Sequence, residues 1–73
     1  MSEGKQFVGY SDLTKLKSIC IAGRICGFDV ELKTISNSTV AIFALTYDSV
    51  ALGKFYSRIE EYIIPLGRIY NEN

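Results

Sequence analysis

The chain has 73 residues, with eight basic and eight acidic side chains and no histidine, so its formal net charge is zero. That balance supplies no overall basic field to draw it to nucleic acid, and an apolar share of 48% argues against disorder. A chain of this length makes one domain, 1–73, small enough to bury only about 60% of the surface its unfolded form exposes, and such domains often lean on association.

Met1 to Lys5 reads as a frayed end, and Gln6 to Tyr10 as a short strand weakened by Gly9. Ser11-Asp12 then offers an N-cap and an acidic first turn for a helix carrying Leu13, Leu16 and Cys20 at helical spacing, with Lys15 and Lys17 on its other side. Ile19 to Ile25 alternates enough for a strand, but Gly23 and Gly27 favour a helix end with a loop. From Phe28 the period becomes two: Phe28, Val30, Leu32 and Thr34 face one way, Asp29, Glu31 and Lys33 the other.

Ser36-Asn37-Ser38 is turn chemistry between two strand-like runs, which predicts a hairpin. Its second strand, Val40 to Leu45, is apolar on both faces, with Val40, Ile42 and Ala44 on one and Ala41, Phe43 and Leu45 on the other. Such a strand is central and needs cover on each side, since an uncharged, β-prone run left bare is an aggregation hazard. Asp48 caps the last helix, whose seam reads Leu52, Phe55, Ile59, Tyr62, Leu66, Ile69, beside a second row of Tyr56, Ile63 and Tyr70. Pro65 removes an N–H and crowds the carbonyl of Glu61, so the helix should kink or break near it. The predicted fold is α+β: a three-stranded antiparallel sheet with two helices packed on one face, in the order β-α-β-β-α.

The side chains for self-contained catalysis are missing. Acid–base work at neutral pH usually falls to histidine or to a carboxylate with a raised pKa. Here histidine is absent, and the acidic residues fall on strand exteriors or an exposed helix face. Glu60 and Glu61 are adjacent, so on a helix they point about 100° apart. Gly53-Lys54 fails as a phosphate loop, with Asp48 at the upstream glycine position and Phe55 after the lysine. Cys20 and Cys26 match neither a CxxC pair nor a zinc pattern and read as free thiols. Gly23 to Gly27 is GxxxG, not the GxxG clamp of a KH loop. The expectation is therefore no enzyme, no cofactor and no metal.

The polar start MSEGKQ lacks a signal-peptide layout, and the longest apolar run is far below the roughly 18 residues of a membrane helix, which together imply a soluble cytoplasmic protein.

The last third resembles the small dimerising subunit family of the KEOPS complex. Asp48, Ala51 and Leu52 fit that family's Asp-x-x-Ala-Leu helix start, and Tyr62-Ile63 its later aromatic–aliphatic pair, with the hairpin Val30 to Leu45 in place of its second and third strands. The family usually has arginine where this chain has Gly53, and an Asn-Ser pair where it has Ser57-Arg58, which suits a diverged paralogue that pairs with the standard small subunit. The resemblance implies a three-strand, two-helix fold and an accessory role in a complex that installs threonylcarbamoyl-adenosine on tRNA. The transfer chemistry would belong to the catalytic threonylcarbamoyl-transferase subunit, and tRNA would be met only indirectly.

Two functional classes follow. The first is a non-catalytic dimerisation or scaffold subunit, paired with itself or a paralogous small subunit, whose interface draws on Val40, Ile42, Tyr56, Ile63 and Tyr70; tyrosine suits interfaces because it combines area with a hydroxyl. The second is a small stand-alone nucleic-acid-binding or regulatory protein, viral proteins included, with Lys15, Lys17, Arg24 and Arg58 as the residues contacting tRNA or another nucleic acid.

Overall fold

The computed structural model describes residues 5–65. Strand β1 (Lys5–Asp12) leads through a 3-10 turn (Leu13–Lys15) into helix α1 (Leu16–Cys26). A hairpin of β2 (Val30–Thr34) and β3 (Thr39–Leu45) follows, then helix α2 (Ser49–Ile59) and a second 3-10 turn (Glu60–Tyr62). The three strands form one antiparallel sheet in the order β1-β3-β2, with β3 in the middle. This is the α+β order that the periodicities predict.

Both helices lie on the same face of that sheet. The buried core joins Ile42 and Ala44 of β3 to Ile19 and Ala22 of α1 and to Phe55 and Ile59 of α2. Val30 and Leu32 of β2 and Val8 of β1 pack against it from the flanking strands. Phe55 is fully buried and meets Phe28 edge to face, with ring centroids 5.1 Å apart, a geometry worth about 0.5–1.5 kcal/mol beyond the area buried. The seam residues Leu52, Phe55, Ile59 and Tyr62 turn inward as expected; Leu66 and Ile69 lie outside the described residues.

The entry to α1 departs from the sequence reading. Ser11 and Asp12 do not cap it; both belong to β1, paired with Val40 and Thr39, and neither the 3-10 turn nor α1 has a side-chain cap. The Leu13 N–H donates to the Ser38 carbonyl at 3.1 Å instead, tying the turn to the β2–β3 loop. Sheet pairing has taken the residues that a capping rule would assign to the helix. Ser11 is fully buried, its hydroxyl donating at 3.5 Å to the Asp12 carbonyl.

The end of α1 follows from its glycines. Gly27 adopts φ +96°, the left-handed conformation that a glycine C-cap provides, and its N–H donates to the Arg24 and Gly23 carbonyls. Gly23 lies inside the helix rather than at its end, and its absent side chain lets α1 approach β2: a Cβ there would collide with Val30 Cγ2. Helix α2 starts as read, with Asp48 Oδ1 accepting from the N–H groups of Val50 and Ala51 at 3.0 and 3.3 Å. It stops at Ile59, short of the break expected near Pro65: the chain tightens into the Glu60–Tyr62 3-10 turn and Ile63 beyond it is extended (ψ 131°).

Substituting Gly23→Ala should destabilise the fold by about 1–3 kcal/mol, because overpacking against a stiff β-branched side chain outweighs the helix-propensity gain of about 1 kcal/mol. Urea unfolding of Gly23→Ala alone and combined with Val30→Ala checks this, the second change relieving part of the loss.

Candidate interaction surface

The sheet face turned away from the helices is not covered by any described element. The register sets Phe7 beside Phe43 beside Glu31, and Tyr10 beside Ala41 beside Lys33. Leu45 and Lys5 lie at one end, and Asp12 and Thr39 at the other. Phe7 is 54% exposed and Leu45 38%, and Tyr10 and Phe43 are half-buried. A β-bulge makes the cluster possible: the pairing shifts between Phe7 and Gly9, so Val8 is surplus to the ladder. Phe7 and Tyr10 therefore share a face although they are three positions apart.

The exposed aromatics touch. Phe7 meets Phe43 at 5.5 Å and Tyr10 at 5.2 Å between centroids, both edge to face. The Lys5 ammonium lies 5.3 Å from the centre of the Phe43 ring and reaches Glu31 at 3.4 Å, so an ion pair spans the central strand above the ring. Both charged partners are 45% exposed, and a pair so placed contributes little stability. Its effect is to place opposite charges at the margin of an aromatic patch.

A second apolar surface adjoins it. The outer edge of β1 and helix α2 enclose a groove, with one hollow of about 430 Å³ lined by Gln6, Phe7, Val8, Leu52, Gly53 and Tyr56. A further hollow of about 250 Å³ extends it toward Ile63, Ile64 and Pro65. That end is closed by the chain itself: Ile63 bridges Ser11, and the Ile64 N–H donates to the Tyr10 carbonyl at 2.9 Å.

The interface residues expected from the sequence separate in space. Tyr56, 43% exposed, lines the groove together with Ile63. Ile63 also rests against Gly9, where a Cβ would stand 3.3 Å from two of its atoms, so it is part packing and part wall. Val40 and Ile42 are 1% and 0% exposed, on the side of β3 that faces the helices, and Ile42 packs in the core with Ile19, Phe55 and Ile59. For them the expectation of a partner-facing position is corrected: the open side of β3 is that of Phe43 and Leu45, with Ala41 on the same side but itself buried between Tyr10 and Lys33. Tyr70 lies outside the described residues.

The four basic residues each keep different neighbours. Lys15 stands 5.5 Å from the centre of the Tyr62 ring. Lys17 and Arg24 are exposed on α1, seven residues and therefore about 10 Å apart along its axis. Arg24 shares a shallow depression with Asp29, and Arg58 one with Glu60 and Glu61, so carboxylates accompany both guanidinium groups. Cys20 and Cys26 are free and half-buried.

Periodicity missed Phe7 and Tyr10, because the bulge hides their common face from a period-two reading. Gly53 lines the groove with open space where a side chain would project. No described helix is long and apolar enough to cross a membrane. Comparison with protein-family models, with curated protein sequences and with solved structures gives no match.

If the Phe7–Phe43 contact is a true aromatic pair, a double-mutant cycle with Phe7→Ala and Phe43→Ala should give a coupling of about 0.5–1.5 kcal/mol in urea unfolding. Additive losses would mean that the rings lie side by side without attraction.

Proposed function

We infer that this chain is a non-catalytic dimerisation and scaffold subunit of a multiprotein complex. The observation that carries this reading is the uneven cover of the central strand: two helices seal one face of β3, while the other presents Phe7, Tyr10, Phe43 and Leu45 to solvent. Apolar surface of this kind, margined by charges, is what a protein keeps for a partner. The groove beside it, with Tyr56 as an amphipathic wall, enlarges the area available for docking.

The sequence frame Asp48, Ala51, Leu52, Tyr62 and Ile63 directs the proposal to the KEOPS complex. In that setting the chain is a cytoplasmic, diverged relative of the small subunit, pairing with itself or with that subunit and bringing the catalytic threonylcarbamoyl-transferase subunit into the assembly. The β-α-β-β-α order and the Asp48-capped helix support this reading. Catalysis and tRNA positioning then belong to its partners. The carboxylates beside Arg24 and Arg58 support an indirect relation to tRNA.

Solution mass measured alone and in mixture with the small and catalytic KEOPS subunits tests the proposal. A complex should form with wild-type protein and weaken at least tenfold with Phe43→Asp, which sets a charge on the open face, while Lys17→Ala leaves it unchanged. A monomer that ignores those subunits, or low-micromolar tRNA binding by the isolated chain in physiological salt, would overturn it.

A further inference from the structure

We propose that the open sheet face takes the same face of a second copy of this chain, the two sheets stacking about a two-fold axis that runs across the strands between Phe43 and Ala41. The inference rests on the dimerisation reading above and assigns the surface of self-pairing. It leaves the helices and the outer edge of β2 free for other subunits.

Charged side chains mark the corners of this face. Lys5 and Asp12 stand at the two ends of β1, and Glu31 and Lys33 lie across from them on β2. All four are exposed. Their signs alternate around the rim: positive at Lys5, negative at Glu31, positive at Lys33 and negative at Asp12. Together they sum to zero, which favours neither a strongly acidic nor a strongly basic partner. An apolar cover would strand all four charges. A copy of the same face can bring the opposite sign to each corner.

Charge and shape together choose the axis. One diagonal axis sets Lys5 over Lys5 and Lys33 over Lys33, and the other does the same for Glu31 and Asp12, so like charges meet in both. An axis along β3 sets Phe43 over Phe43 and Ala41 over Ala41, bulk against bulk and gap against gap. An axis across the strands exchanges the rows of the ladder instead. Phe43 then stands over Ala41 of the second copy, and Phe7 over its Tyr10. By the same exchange Lys5 meets Asp12 of the second copy and Glu31 meets its Lys33, each contact made twice by symmetry. Large side chains fill the space above small ones, as close-packed layers require. Sheets stacked in this way keep their strands within about 30° of each other.

The extent of the face sets the strength of the contact. Three strands and four ladder rows make a surface about 15 Å wide and about 25 Å long. That is on the order of 400 Å² per copy, against about 800 Å² per partner in a standard interface. Covering the exposed Phe7 and Leu45 supplies the apolar gain. A reversible dimer follows, with a Kd on the order of tens of micromolar.

Sedimentation equilibrium of the full chain over a range of concentrations tests the pairing. Wild type should rise from 8.2 kDa toward twice that mass. Lys5→Glu and Asp12→Lys should each raise the dimer Kd about fivefold. The double swap Lys5→Glu/Asp12→Lys, and an equimolar mixture of the two single variants, should restore it. Both positions lie on β1, so a dimer formed along β2 would not respond to them. With wild-type protein alone, NMR of mixed labelled and unlabelled chains should show an intermolecular NOE between the Phe43 ring and the Ala41 methyl group. A dimer insensitive to both reversals, or one whose intermolecular NOEs arise from β2 or the helices, would overturn the face assignment and leave dimerisation intact. A wild-type chain still monomeric at roughly 500 μM, far above the expected Kd, would overturn self-pairing. If that monomer joined the KEOPS small subunit through Phe43, the face would belong to that subunit and the scaffold role would stand.

Discussion

The placement of β3 in the middle of the sheet is the constraint on which the rest of this fold depends. Only a central strand is paired on both sides, so Thr39–Leu45 sets the register of β1 and β2 at once. Its alternation then decides where the helices go. Ile42 and Ala44 form the sheet's contribution to the core, with Val40 buried on the same side, and Ile19, Phe55 and Ile59 close over that side because none of its strand residues is charged. The opposite side has Ala41 and Phe43 between Lys33 and Glu31 on β2, and covering it would strand those charges. A sheet of three strands thus acquires a dry face and a mixed one from the pairing of its middle member.

Most of the architecture is legible in the residues because local signals and long-range pairing agree over most of the chain. The hairpin, the Asp48 cap and the Leu52–Phe55–Ile59 stripe are local patterns that nothing later overrides. The beginning of α1 is not legible, since Ser11 and Asp12 suit a helix cap and a strand end equally well, and only their pairing with Val40 and Thr39 settles the matter. The stop of α2 is not legible either: the apolar rhythm runs on past it toward Pro65, while the helix ends at Ile59 and the chain tightens into the Glu60–Tyr62 turn.

The candidate surface was less legible than the fold. A strand apolar on both sides leaves open which side is inward, since Val40, Ile42 and Ala44 are no more apolar than Ala41, Phe43 and Leu45. The neighbouring strand holds the deciding signal: Val30 and Leu32 pair with Ala44 and Ile42, whereas Glu31 and Lys33 pair with Phe43 and Ala41. Carrying β2's own alternation across the hairpin identifies the core side without coordinates. Phe7 and Tyr10 could not be recovered this way, as their common face depends on an irregularity in pairing that no local pattern announces.

That irregularity bears on how the chain could change in length. Val8 is the residue added to β1 where the register shifts, and its side chain packs against the core beside Gly9, which also faces the helices. Remove it, and Phe7 and Gly9 still fall on opposite faces with their present partners on β3. Strand β1 is therefore a place where a one-residue deletion is absorbed as a lost core contact, with no reversal of faces, a tolerance that β3, paired on both sides, does not share.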